Sequence, residues 1–489
     1  MPPFAGTRTA TLLLAAGIAL GGCVSPAGLE PSGRQLDPAS LQAGRTLDGT
    51  PLSDAAWPRQ NWWNVFGDPQ LDALIGEALK GSPDLQIAEA RARQAAAAAQ
   101  VQDAARMPSV NASAGYSGLR APESVAPAPL GGRYSAIKYL SLGFAYDFDL
   151  WGGQRAAWEA ALGRANAAEV DRQAAAIDLS ANVARAYSEL AHAYVAHDLA
   201  SDELERSERL YNLSRKRMDA GLDSKVQLQQ TQAQVSLARQ QLTAAQERID
   251  SDRIALAILL GQGPDRGQDI QRPRELQPGV LALPSSLPAE LLGRRPDIVA
   301  ARWRIEAASK DIEATRTRFY PNLNLNAMLG LAAIHGSDLL SAPSRFYQVA
   351  PAISLPIFDG GRLRADLAGS DADYDLAVAQ YNKTLVGALG EVSDDLGRLR
   401  SLEQQLEDQH EARDIARSNF ELAMRRYGEG VGNYLDALSV QQQLLLAERQ
   451  LAELEARRID LSVQLIRALG GGFEPDAAAV AQASATGAH

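Results

Sequence analysis

Four segments of this chain alternate apolar and polar side chains, and between them lie long stretches with helical spacing. In the first, Val110, Ala112, Ala114 and Tyr116 alternate with Asn111, Ser113, Gly115 and Ser117; in the second, Leu140, Leu142, Phe144, Tyr146 and Phe148 alternate with Ser141, Gly143, Ala145 and Asp147. The pattern returns with Leu323, Leu325, Ala327 and Leu329 against Asn322, Asn324 and Asn326. It closes with Val349, Ile353, Leu355 and Ile357 against Gln348, Ala350, Ala352 and Ser354. One apolar and one wet face over about 9–11 residues is what a strand crossing an outer-membrane-type bilayer requires. Four strands cannot close a barrel, since the smallest have about eight and lipid tolerates no open sheet edge. Several copies must therefore share one barrel. A dimer would close it as well as a trimer, so periodicity alone leaves the copy number open.

Ala, Gln, Arg, Leu and Glu dominate residues 71–106, 154–218, 224–260, 296–319, 362–427 and 433–469, which the spacing predicts as helices. Leu444, Ala447, Leu451, Leu454, Leu461 and Leu465 follow a three-four seam, and Val235, Ala238, Leu242, Ala245 and Leu256 repeat it earlier, as coiled-coil partners do. A helix over 154–218 would run roughly 95 Å at 1.5 Å per residue, far beyond an ordinary globular domain. Ser224 with Gln227, and Asn433 with Asp436, have the spacing of a capping box. The preceding Gly221 and Gly430 read as turn residues needing positive φ.

The chain is written twice. An offset of 209 residues places Gly221 on Gly430, Arg217 on Arg426, Gln232 on Gln441, Ala238 on Ala447, Leu242 on Leu451, Leu260 on Leu469 and Gly261 on Gly470. Each copy reads helix, β-hairpin, long helix, tight turn, helix. The expected organisation is a signal peptide at 1–22, a lipidated extended segment at 23–70 and a first repeat at 71–270 with its hairpin about 109–148. A linker at 271–290, a second repeat at 291–472 with its hairpin about 322–358, and a disordered tail at 473–489 complete it. The Pro-, Gly-, Ser- and Ala-rich loops 119–138 and 331–345 join the strands of each pair and are expected to face outside.

Arg8, the apolar run from Thr11 to Leu20, and Leu20-Gly21-Gly22-Cys23 form a targeting signal that resembles a bacterial lipobox. Cys23 is the single cysteine, so internal disulfides are excluded and lipid attachment is its expected fate. The mean hydropathy is −0.20, and no apolar run after residue 23 is long enough for a membrane-spanning helix. With 489 residues and a net charge of −11, the chain has no counterion-release drive toward nucleic acid. His192 and His197 share no helix face and have no cysteine or carboxylate at ligand spacing, so no metal site is expected. Gly261-Gln262-Gly263-Pro264 reads as a helix-ending loop, and Arg294-Arg295 as a surface or structural pair. No nucleophile, base and orienter can be named, so neither an enzyme nor a cofactor beyond the lipid on Cys23 is expected. Trp62, Trp63 and Phe66 precede a helix and should pack against the body near the membrane interface; Phe148 and Trp151 suit a periplasmic aromatic girdle.

Several segments together resemble the outer-membrane factors of tripartite efflux systems, of the TolC and OprM kind and particularly NodT-type lipoproteins. They are Trp62-Trp63 with Phe66-Gly67-Asp68-Pro69-Gln70-Leu71; Phe148-Asp149-Leu150-Trp151-Gly152; Leu292-Gly293-Arg294-Arg295-Pro296-Asp297-Ile298; Phe319-Tyr320-Pro321-Asn322-Leu323; Ile353-Ser354-Leu355-Pro356-Ile357-Phe358-Asp359-Gly360-Gly361; and Ala468-Leu469-Gly470-Gly471-Gly472. The resemblance implies an α+β membrane protein whose four transmembrane β-strands per protomer contribute to the twelve-stranded β-barrel of a homotrimer, continued by a long periplasmic α-helical barrel. It implies lipid anchoring in the cell outer membrane, docking of the helical turns at Gly221 and Gly430 on a periplasmic adaptor (membrane fusion) protein, and linkage to an inner-membrane RND-type transporter. The function implied is a passive exit duct for drugs and other small molecules, gated at its periplasmic tip. A TolC-like duct for protein secretion and a non-conducting lipid-anchored stalk are the rival readings. Carried over, the constriction falls on Leu435 as the hydrophobic ring with Tyr434 beside it; Ser439 and Gln442 stand where an aspartate and an arginine are common, and Asp436 is the alternative acidic ring.

Overall fold

The four alternating segments form β1 (Ser109–Arg120), β2 (Tyr134–Phe148), β3 (Asn322–Ala333) and β4 (Arg345–Ser354) of a single antiparallel sheet, in the order β1-β2-β3-β4. The structure is a computed structural model describing residues 25–41, 57–125, 131–274, 276, 293–334 and 338–474. Directly paired residues project to the same face. The register therefore lines up Val110, Phe144, Ala327 and Val349 in one row, and Ala112, Leu142, Leu329 and Tyr347 in the next. The opposite face carries Asn111, Gly143, Met328 and Gln348, and a Ser113–Ser141 pair whose hydroxyls lie 2.8 Å apart. Because the strand period is two, a slip of one residue would mix the faces; the observed register keeps them apart across all four strands. β4 ends at Ser354, so Leu355 and Ile357, expected to continue it, lie beyond the strand; Pro356 offers no N–H to a ladder.

The helices are α1 (Pro69–Gly81), α2 (Pro83–Ala105), α3 (Gly153–Asp219), α4 (Lys225–Leu259), α5 (Pro296–Thr317), α6 (Arg362–Gly428) and α7 (Tyr434–Ala468). The continuous helix expected over 71–106 is broken at Ser82, which is extended (φ −63°, ψ 127°), because Pro83 drives the residue before it out of the helical region. The duplication is kept to the residue: α3 and α6 each have 67 residues, and α4 and α7 each have 35. Among the described residues no helix is long and apolar enough to cross a membrane.

Two compact units each draw on both repeats. The first, residues 1–35, 93–167 and 301–381, holds the sheet and the helix ends that lead into it, with Ile312, Phe319, Leu363 and Leu367 as a small core. There the Trp151 indole donates to the Pro321 carbonyl at 2.7 Å and its ring lies 4.9 Å from that of Tyr320. The second unit, residues 36–92, 168–300 and 382–489, contains none of the described strands. Its main core gathers Leu71, Leu74 and Ile75 of α1, Tyr187 and Leu190 of α3, Leu256 of α4 and Val463 of α7. Trp62 and Phe66 belong to this helical core with Leu71 and Ile75 of α1, so they pack against the body as expected. Asp68 begins α1 as its N-cap, accepting from Gln70 N at 2.9 Å and from the Tyr187 hydroxyl at 2.6 Å. After α7, Gly470 and Gly472 take positive φ where a Cβ would strike the carbonyl oxygens of Arg294 and Arg59, so only glycine closes this corner. The signal segment, Cys23, residues 277–292 and 475–489, and parts of both outward loops lie outside the described residues.

Candidate functional site

The second unit contains both helical turns, and each is built the same way. Gly221 (φ +75°) lets Leu222 N donate to Arg217 O at 2.9 Å; Gly430 (φ +81°) lets Val431 N donate to Arg426 O at 3.0 Å. Both glycines thus have the expected conformation. Ser224 starts α4 with a complete capping box, Gln227 N donating to Ser224 Oγ at 3.3 Å and Ser224 N donating to Gln227 Oε1 at 2.6 Å. At α7 only the forward bond forms, from Asp436 N to Asn433 Oδ1 at 3.1 Å, because aspartate is one methylene shorter than glutamine.

The structure separates the five gate candidates. Leu435, Ser439 and Gln442 recur at one-turn intervals along an exposed stripe of α7, flanked by Asp436 and extended by Leu446. Val226, Gln230, Ala233 and Leu237 form the equivalent exposed stripe of α4. Tyr434, expected beside Leu435, turns inward instead: it is 2 % exposed and packs with Leu210, Tyr427 and Ala437. Its phase on α7 places it on the face covered by the neighbouring helices.

Beside that cluster the two turns are bonded to each other through residues the sequence reading did not single out. Asp223, in the first turn, accepts from the Tyr427 hydroxyl of the second, from Arg217 Nε at 3.1 Å and from Ser214 Oγ at 3.3 Å. Arg217 also donates to the Tyr427 carbonyl at 3.0 Å, and its guanidinium lies 4.6 Å from the centre of the Tyr427 ring. Burial, with Asp223 beside it, pushes the Tyr427 hydroxyl up to about 12, so it remains a donor at any physiological pH. A signal existed: the 209-residue offset puts Asp223 on Gly432 and Tyr427 on Met218, so these two residues stand where the repeats disagree, although Arg217 matches Arg426.

Other candidates resolve into packing. Arg294 stacks 5.5 Å from the Trp57 ring, while Arg295 is partly buried and bonded to Asp297, Glu391 and the Ala468 carbonyl. Gly261 ends α4 at positive φ, as the helix-ending reading requires. Among the described residues no group of three or more His, Cys, Asp or Glu is placed to hold a metal ion. Asp395 on α6 is buried, and that burial, reinforced by Glu391, pushes its carboxyl up to about 6.

The family model for outer membrane efflux proteins matches residues 74–262 and 287–471. The fusaric acid resistance protein FusA of Burkholderia cepacia is 37 % identical over 367 residues, covering 74 % of this chain and 69 % of FusA. The multidrug resistance outer membrane protein MdtP of Escherichia coli (strain K12) is 32 % identical over 450 residues, covering 90 % and 91 %. The crystal structure of the outer membrane protein VceC of Vibrio cholerae superposes with a TM-score of 0.79 at 37 % identity, covering 86 % of this chain and all of that one.

Proposed function

We propose that this chain, which belongs to the outer membrane efflux protein family and is an outer-membrane channel of small-molecule efflux pumps, works as a homotrimeric exit duct held shut at rest by the bonds between its two helical turns. The observation that carries this reading is the sheet register. It presents an apolar face and a polar face, and leaves β1 and β4 with one unpaired edge each. Lipid does not accept such edges, and joining β4 of one copy to β1 of the next removes them. Three copies give a twelve-stranded barrel with the Asn- and Ser-lined face around water.

At the helical end, the Asp223–Arg217–Tyr427 bonds hold the α6–α7 hairpin against the α3–α4 hairpin. With the hairpins so held, the stripe of Leu435, Ser439 and Gln442, with Asp436 at its flank, narrows the duct around the threefold axis. Tyr434 serves this ring from behind, as packing. The turns at Gly221 and Gly430 offer the contact for a periplasmic adaptor, through which an inner-membrane RND-type pump drives the hairpins apart. Lipid on Cys23 holds each copy in the outer membrane.

Single-channel recording of purified, bilayer-reconstituted protein tests the reading. Wild type gives a small resting conductance, and Asp223→Asn or Leu435→Ala raises it. A protein that stays silent in every form is a stalk rather than a duct.

A further inference from the structure

The duplication keeps one ion pair in both helical hairpins and reverses its sign. In the first hairpin Glu208 on α3 meets Arg239 on α4 at 3.5 Å; in the second Arg417 on α6 meets Glu448 on α7 at 3.0 Å. Each pair spans 31 residues, and the 209-residue offset lays Glu208 on Arg417 and Arg239 on Glu448. Their surroundings differ. Glu208 and Arg239 are exposed, where such a pair contributes little, but the Glu448 side chain is only 6 % exposed.

Glu448 uses its second oxygen across the hairpins, accepting from Arg206 Nη2 of α3 at 3.0 Å. Arg206 in turn donates to Glu203 at 3.1 Å, and Glu203 accepts from Gln441 Nε2 of α7 at 2.6 Å and from Ser207 at 3.2 Å. The carboxylates of Glu203 and Glu448 have a donor at every oxygen, and the charges of Glu203, Arg206, Arg417 and Glu448 cancel. An arginine at 448, as at the matching position of the first hairpin, would set two guanidinium groups against each other. The reversed sign is what permits the bond between hairpins. Such buried pairs give little net stability over apolar packing, yet removing one partner strands a charge, so they select one arrangement over others.

We infer that Arg206 and Glu448 form a second clamp between the two hairpins, which positions α7 and the stripe it carries in the closed state. This rests on the gated-duct reading above. The clamp joins helix bodies about three turns before Arg217 along α3, away from the latch at the turns. A motion that carries α7 away from α3 strips Glu448 from Arg206, whereas Arg417 lies on the same hairpin as Glu448 and travels with it.

Single-channel recordings of the full-length assembly compare wild type with Arg206→Met, Arg206→Lys, Arg417→Met and, as the latch control, Asp223→Asn. Arg206→Met raises the resting open probability at least about tenfold, Arg206→Lys restores the closed state, and Arg417→Met, which leaves the Arg206–Glu448 bond between hairpins in place, raises it far less although its thermal unfolding temperature falls. Should Arg206→Met fail to assemble, Glu448→Gln takes its place with the same expected rise. The clamp is overturned if Asp223→Asn opens the channel and Arg206→Met does not, or if Arg206→Met and Arg417→Met open it equally. Silence from every variant, Asp223→Asn included, removes the duct reading and the clamp with it.

Discussion

The two helical hairpins have the same lengths, the same glycine turns and N-caps at matching positions, but different chemistry at the contacts between them. Positions that define the backbone, Gly221 with Gly430 and Ser224 with Asn433, retain their task in both copies. Among the positions that bond one hairpin to the other, Arg217 and Gln441 match Arg426 and Gln232, but others have diverged: Asp223 against Gly432, Met218 against Tyr427, Arg239 against Glu448. Gly432 shows why. A Cβ there would meet the backbone of Arg426 and Tyr427 at 3.0 Å, so the second turn closes too tightly to hold the carboxylate that the first turn supplies. Duplication supplied two equal arms, and divergence made one the holder and the other the held.

Replacing the divergent residues one repeat at a time gives the sharpest tests. Tyr427→Ala empties a fully buried site and should lower stability by about 3–5 kcal/mol in denaturant unfolding, while Met218→Ala, at the half-exposed equivalent, should cost less than about 2 kcal/mol. Glu448→Gln leaves Arg206 with Glu203 alone and Arg417 without its carboxylate, and should cost about 3 kcal/mol; Arg239→Gln, at the exposed matching position, should stay within about 1 kcal/mol.

Asp395 offers a test of opposite sign, because the matching residue is Ala186. Its folded carboxyl titrates near 6, above the unfolded value of 3.8, so the folded state holds its proton more tightly. Stability therefore falls as pH rises through that interval, and the penalty is fully present at neutral pH. Asp395→Ala should raise stability by about 2 kcal/mol at pH 7.5 and by almost nothing below pH 4, in thermal melts at the two pH values. Smallest is the cap pair: Ser224→Ala and Asn433→Ala should each cost about 1 kcal/mol, with Ser224 the more sensitive because its box is reciprocal.

The strands were legible because a period of two separates Asn322, Asn324 and Asn326 from Leu323, Leu325 and Leu329, and the pairing register then follows from keeping those faces distinct. Helices and turns were legible from composition and from Gly221 and Gly430. The break at Ser82 was written in Gly81-Ser82-Pro83, but an alanine-rich run on its far side outweighed it. The burial of Tyr434 beside exposed Leu435 was hidden for a different reason: adjacent residues on a helix face different neighbours, and which face is covered depends on the other hairpin. The latch was hidden because Asp223 and Tyr427 lie 204 residues apart and neither belongs to a local motif. Packing of Trp62 and Phe66 against the body was legible from their place just before a helix, but their core partners Tyr187 and Val463, far along the chain, were not.

Tyr427 and Tyr434 provide the most direct measurement. They are buried in one cluster with ring centres 6.3 Å apart, yet only Tyr427 bonds its hydroxyl to the other hairpin, while the Tyr434 hydroxyl has no partner among the described residues. Resting conductance should rise in Tyr427→Phe and remain at the wild-type level in Tyr434→Phe. Equal conductance in the two variants, whether both closed or both open, would contradict a duct held shut by the bond between its two turns.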